Sequence, residues 1–154
     1  MKVSDLSSDH SDIEVIANWY YQQWDSKDPN ATLQSVTDKL SSSDSRTGFA
    51  AYIGDELVGA GEITQRITSS YSGYQHWLDG VYVPTEHRGK GISTALVEFA
   101  IAKAIKLKLP ALYLRCEAHL VKLYESHGFS VIDMDGQKFI MAHTLYIGSL
   151  CGNK

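Results

Sequence analysis

The sequence predicts an α/β or α+β fold in a single domain spanning residues 1–154, with helices interleaved with a mixed sheet. Three observations carry this. Apolar residues recur at helical spacing in two long stretches, 11–24 and 92–107. Short runs rich in β-branched and aromatic residues lie around them, bounded by Gly, Pro and Asp. The length, 154 residues, suits one hydrophobic core.

Taken in order, a short strand is an option at Lys2–Asp5. In SDIEVIANWYYQQW, Ile13, Ile16, Ala17 and Tyr20 share a helical face, with Ser11 or Asp12 as N-cap. Pro29-Asn30 interrupts it, and a second helix is expected from Thr32 to Leu40 with Asn30 as its cap. A loop of turn composition, SSSDSRTG, leads to a β-hairpin, RTGFAAYI and LVGAGEIT, turning at Gly54-Asp55-Glu56. Arg66 to Gln75 is polar and reads as a loop; HWLDGVYV is a strand stopped by Pro84. Ile92 to Leu107 is a helix with Leu96, Ala100 and Ala104 at four-residue steps, Val97, Ile101 and Ile105 beside them, and Pro110 ending it. The strand ALYLRC follows, then a helix from His119 to Ser126 with Gly128 as left-handed cap. Two strands, FSVIDM and KFIMAHTLYI, close the chain around Asp135-Gly136.

Composition excludes several classes. Hydrophobic residues at 44% and charged residues at 21% fit a globular protein rather than a disordered one. A formal net charge of −4 argues against a nucleic-acid partner. The opening MKVSDLSSDHSDIEV has no apolar signal region, and no apolar run reaches the ~18 residues of a membrane span. A soluble, cytoplasmic protein with no membrane partner is therefore expected. Cys116 and Cys151 show no CxxC spacing, and the six histidines show no metal-ligand pattern, so neither a disulfide framework nor a metal is expected.

The stretch VYVPTEHRGKGISTAL carries the chemistry. A strand ends at Val83, and Arg88-Gly89-Lys90-Gly91 leads straight into a helix through Ile92, Ser93 and Thr94. Unpaired N–H groups and the dipole of a first helical turn favour an anion there, glycines admit a phosphate to the backbone, and Arg88 and Lys90 add charge. The arrangement suits a diphosphate. The spacing is not that of a Walker loop, and Thr94 stands where a dinucleotide fingerprint needs its third glycine.

Arg88, Gly91 and Ser93 instead fall on the Arg/Gln-x-x-Gly-x-Gly/Ala signature, and the chain resembles the GNAT superfamily of acetyl-coenzyme A-dependent N-acetyltransferases. Ser93 departs from the usual Gly or Ala, but serine is small enough to keep the backbone. LDGVYVPTEH resembles the family's fourth strand, and LVKLYESHGFSVI its second signature. The resemblance runs from Thr47 to Leu145; the first 45 residues share only two helices. It implies a mostly antiparallel sheet of about six to seven strands flanked by about four helices. It also implies acetyl transfer from acetyl-CoA to a primary amine of a small molecule or peptide. Val81, Tyr82 and Val83 would offer backbone groups to the pantetheine arm and to the tetrahedral intermediate, and Arg88 to Thr94 would hold the pyrophosphate. Tyr124 matches the tyrosine that protonates the leaving thiolate; otherwise it is an aromatic packed on the sheet.

The base stays open between Asp79, Glu62 and none. Asp79 alternates with Val81 and Val83 and so would share their face as a base; otherwise it is a residue of a solvated edge or of a buried salt bridge. Glu117 replaces the asparagine that often begins the tyrosine's helix, with His119 nearby, so that contact is not carried over. Cys116 is read as a packed thiol rather than a nucleophile, and Trp19, Tyr20, Tyr21 and Trp24 chiefly as core; the alternative, which the resemblance implies, is that Tyr21 or Trp24 walls an acceptor pocket. Family members also pair to build the acceptor site, so the resemblance admits a homodimer. The alternative function is a non-catalytic coenzyme A sensor on the same fold.

Overall fold

The computed structural model describes residues 1–7, 10–42, 46–66 and 75–145. Cys151, most of the polar stretch after Arg66 and the expected end of the last strand fall outside them. In chain order the elements are β1 (Lys2–Leu6), α1 (Ile13–Gln23), α2 (Leu33–Ser41), β2 (Arg46–Ile53), β3 (Glu56–Gln65), β4 (His76–Tyr82), α3 (Ile92–Lys106), β5 (Ala111–Cys116), α4 (Val121–Glu125), β6 (Ser130–Asp135) and β7 (Lys138–Thr144). Single 3-10 turns occupy Asp25–Lys27, Thr85–His87 and Ala118–Leu120. The strands form one seven-stranded mixed sheet in the order β1-β2-β3-β4-β5-β7-β6. The short first strand offered by the sequence is real, pairing antiparallel with β2 from Lys2↔Tyr52 to Leu6↔Gly48.

Two compact units make up the chain. The first comprises Met1–Ile63 and Gly80–Leu96. Its core joins Ile13, Ile16, Ala17 and Tyr20 of α1 to Val36 and Leu40 of α2 and to Ala50 and Ala60 of the sheet. The apolar stripe read from the sequence is thus the buried one. The second helix is capped by Thr32, not Asn30. Thr32 Oγ1 accepts from the Ser35 N–H and Ser35 Oγ accepts from the Thr32 N–H, a reciprocal capping box. Asn30 is occupied in the preceding turn, its N–H donating to Asp28 Oδ1.

The second unit comprises Thr64–Asp79 and the chain from Val97 onward. Here β5 pairs in parallel with β4 at Trp77↔Tyr113 and antiparallel with β7 from Ala111↔Thr144 to Cys116↔Phe139. Strand β6 lies on β7, with an irregularity between Val131 and Asp133. Val97, Ala100 and Ala104 of α3 are buried, but Ile105, expected beside them, is 48% exposed. Nine positions at 3.6 residues per turn place it about half a circle from Leu96.

The sequence placed the end of α3 at Leu107 with Pro110 as its stop; the helix ends at Lys106, and the residue that turns the chain is Lys108. Lys108 adopts φ 61°, with its N–H donating to the Ile105 carbonyl and the Leu109 N–H to that of Ala104. A lysine in this left-handed position carries a steric penalty that glycine avoids. Lys108→Gly is therefore expected to raise stability by about 1 kcal/mol in urea unfolding. A loss would show that the lysine side chain contributes more than its backbone costs.

Candidate active site

The loop expected to hold a diphosphate lies in the first unit and is braced from within. Arg88 Nε donates to the Val83 carbonyl at 2.9 Å, and the His87 N–H donates to the Pro84 carbonyl. The Arg88 guanidinium lies 6.0 Å from the centre of the Tyr82 ring. That ring packs against Trp19 at 5.5 Å and Trp24 at 6.0 Å, which ties the end of β4 to α1. The Val83 carbonyl, one of the backbone groups expected to serve a cofactor, is thus already engaged by Arg88.

Beyond Arg88 the backbone is bare. Gly89 and Gly91 sit at φ 80° and 78°, and a Cβ at either would meet nothing within 4 Å. Both conformations favour glycine, and both leave the main chain open to a ligand. Lys90, between them, is exposed. The first backbone bond of α3 runs from the Ala95 N–H to the Gly91 carbonyl, so the N–H groups of Ile92, Ser93 and Thr94 are those a helix start leaves without an intrahelical acceptor. Ile92 is buried and anchors this turn, with Ser93 and Thr94 half-buried beside it. A Cβ on Gly59 of β3 would come within 2.9 Å of Ile92 Cγ2 and 3.1 Å of Leu96 Cδ1, so the absent side chain lets α3 lie directly on the strand.

In the second unit Asp79 takes part in a salt bridge, a partly exposed one rather than the buried bridge given as an alternative to its role as base. An Arg66 terminal nitrogen reaches Asp79 Oδ2 at 2.6 Å, and Thr64 Oγ1 donates to the same oxygen. The shared face expected for Asp79, Val81 and Val83 does not carry through the strand. Gly80 between them has φ 62°, far from extended backbone, and breaks the alternation. Glu62, the rival carboxylate, is buried on β3 and engaged.

Tyr124 stands on α4, whose end is set by the cap expected at Gly128. The Phe129 N–H donates to the Tyr124 carbonyl and the Gly128 N–H to that of Glu125, with Gly128 at φ 97°. The Tyr124 ring meets Phe129 edge-on at 5.9 Å. Burial, with a smaller contribution from Cys116, pushes its hydroxyl up to about 12. At neutral pH it is a phenol with a proton to give. Cys116 is buried, its thiol pushed up by burial and then by Glu117, and it donates to Met141 Sδ at 3.7 Å. These are the features of a packed thiol, not of an activated nucleophile.

The profile of the acetyltransferase (GNAT) family matches residues 13–129. The chain belongs to the GNAT acetyltransferase family. It is an enzyme of the N-acetyltransferase class, and the match takes in the two N-terminal helices that the motif-by-motif resemblance left aside. Solved structures share its fold. An aminoglycoside 6'-N-acetyltransferase complexed with coenzyme A superposes with TM-score 0.75 at 16% identity, covering 94% of this chain and 97% of that one. The aminoglycoside 6'-N-acetyltransferase from Enterococcus faecium gives 0.71 at 17%, with 94% and 97% covered. The PaiA N-acetyltransferase from Thermoplasma acidophilum, also in complex with coenzyme A, gives 0.62 at 19%, with 94% and 99% covered. A search of curated protein sequences finds no match.

Sequence reasoning did not single out three polar residues of this acetyltransferase. Thr64, near the end of β3, and Arg66, the first residue beyond it, both reach Asp79; their only trace in the sequence is a two-residue spacing. His87, just before the glycine loop, is buried with Nε2 3.1 Å from Glu56 Oε2 and no partner for Nδ1 among the described residues. Nothing in the sequence distinguishes it from a surface histidine. Among the described residues no three His, Cys, Asp or Glu gather as a metal ion requires, and no helix is long and apolar enough to cross a membrane.

Proposed function

We propose that this single acetyltransferase domain transfers an acetyl group from acetyl-CoA to a primary amine of a small molecule or peptide. The observation that carries the reading is the bare backbone of Gly89 and Gly91 where it opens α3. The Arg88 to Thr94 segment takes the pyrophosphate through backbone N–H groups and the charges of Arg88 and Lys90. Backbone groups of Val81, Tyr82 and Val83 take the pantetheine arm.

The acceptor's ammonium first loses a proton to Asp79, directly or through one water, which frees a nitrogen lone pair. The nitrogen attacks the thioester carbon, and the C=O electrons move onto oxygen to give a tetrahedral intermediate. As the C–S bond breaks, Tyr124 gives its proton to the departing sulfur. The tyrosinate then takes the second nitrogen proton, leaving the neutral amide and free coenzyme A.

Thermal unfolding tests the donor. Acetyl-CoA at a hundred times its dissociation constant is expected to stabilise the fold by about 2.7 kcal/mol, while adenosine, which lacks the diphosphate, gives no shift. No shift with either ligand in a folded sample removes the reading. A shift with acetyl-CoA but no turnover of any amine leaves a coenzyme A-binding sensor.

A further inference from the structure

The carboxylate of Asp79 is held at one oxygen only. Thr64 and Arg66 both donate to Oδ2, and among the described residues none donates to Oδ1. Each support has contacts of its own, and the Arg66 side chain keeps 41% of its surface exposed. Thr64 is buried on β3. The Arg66 guanidinium lies 5.1 Å from the centre of the Trp77 ring, and the Arg66 N–H donates to the Gln75 carbonyl at 2.7 Å. Trp77 is buried and packs on Tyr113 at 5.7 Å. The Asp79 side chain keeps 23% of its surface, so a substrate atom or a water can reach it.

Two donors on one oxygen settle the carboxyl torsion, because rotation would break both bonds at once. A carboxylate free to turn would offer either oxygen over a range of directions. Among the described residues, this one offers a single unpaired oxygen in a single direction. For proton transfer that difference matters, since the rate depends on heavy atoms held at hydrogen-bond distance in the reacting geometry. The arrangement exceeds what a surface ion pair needs: the guanidinium is stacked, and a buried hydroxyl spends its proton on the same oxygen.

We propose that Thr64 and Arg66 are positioning residues that lock Asp79 so that Oδ1 alone accepts the acceptor's proton. This rests on the reading of Asp79 as the base. In the step, one N–H bond of the ammonium breaks and one O–H bond forms at Oδ1. The bonds from Thr64 and Arg66 to Oδ2 persist, and the proton on Oδ1 later leaves to water.

The test is steady-state kinetics of Asp79→Asn, Thr64→Val, Thr64→Ser, Arg66→Met and Arg66→Lys. The substrates are acetyl-CoA with kanamycin, spermidine, tyramine and a lysine-containing peptide, and melting curves accompany every variant. Thr64→Val and Arg66→Met are each expected to lower kcat about 10- to 100-fold with KM for acetyl-CoA unchanged. Thr64→Ser, which keeps the hydroxyl, restores most of the rate even if Thr64→Val folds poorly. If Asp79→Asn loses activity while Thr64→Val and Arg66→Met keep theirs, the base stands and the lock is overturned. If Asp79→Asn keeps its kcat, or the parent chain turns over none of these amines, the reading beneath the proposal fails and the proposal falls with it. Equal losses in Thr64→Ser and Thr64→Val would also overturn it, since the hydroxyl would then be irrelevant.

Discussion

Replacing Tyr124 by phenylalanine is expected to lower kcat roughly 10²-fold, the low end for a lost general acid, because a thiolate of pKa near 8.5 leaves with modest help. The same change should leave the fold almost untouched. Phenylalanine keeps the ring edge on Phe129, and among the described residues the Tyr124 hydroxyl has no hydrogen-bond partner to lose. A large rate effect without a stability effect separates a proton donor from a packed aromatic. Unchanged turnover would remove Tyr124 from the mechanism.

The pH dependence follows from the same group. Burial pushes the folded-state value up to about 12, against the ordinary tyrosine value near 10. Between those values the native state holds a proton that the unfolded chain has released. Stability is therefore unaffected by this group below about pH 10 and falls as pH rises toward 12. Tyr52 adds to the trend, since burial and the neighbouring Asp12 carboxylate raise its hydroxyl further. Tyr124→Phe should unfold at a higher alkaline midpoint than the parent, which urea titrations from pH 8 to 12 would measure. An unchanged alkaline midpoint would mean that Tyr124 does not contribute.

Gly80→Ala is expected to cost about 2–5 kcal/mol, the sum of a left-handed backbone penalty and overpacking. Gly80 holds φ 62°, and a Cβ there would lie 2.9 Å from both the Cζ and the hydroxyl oxygen of Tyr20. Tyr20 belongs to the core of α1 and α2 and cannot yield without disturbing it. Gly89→Ala provides the control: its φ of 80° carries the backbone penalty, but open space surrounds it. That variant should lose only about 1–2 kcal/mol. Against a typical total of about 5–15 kcal/mol, the difference is easily resolved in urea unfolding. Equal losses would show that Tyr20 moves aside and that its contact with β4 is loose.

Periodicity was enough to find what depends on local chemistry. The buried faces of α1 and α3, the hairpin turns and the cap at Gly128 all follow from side-chain spacing and from residues suited to unusual backbone angles. The open conformation of the glycine loop was legible for the same reason, since left-handed glycines before a helix are consecutive residues of the chain. Local rules still failed where two neighbours competed. Thr32 and Ser35 satisfy each other, so Asn30 is not the cap; the end of α3 was legible to within a residue, but the turn after it is made by Lys108 rather than by Pro110.

The surroundings of Asp79 lay beyond such rules. One positive φ at Gly80 breaks the two-residue alternation from which a strand face is read. Thr64 and Arg66 meet Asp79 across 15 and 13 residues of chain, a distance at which no spacing in the sequence reports contact. The sequence by itself determined the element types, the family signature and the identity of the acid candidate. Which oxygen of Asp79 is held, and by whom, was decided only by tertiary packing, because register between distant strand segments is set by the whole sheet and not by any residue in it.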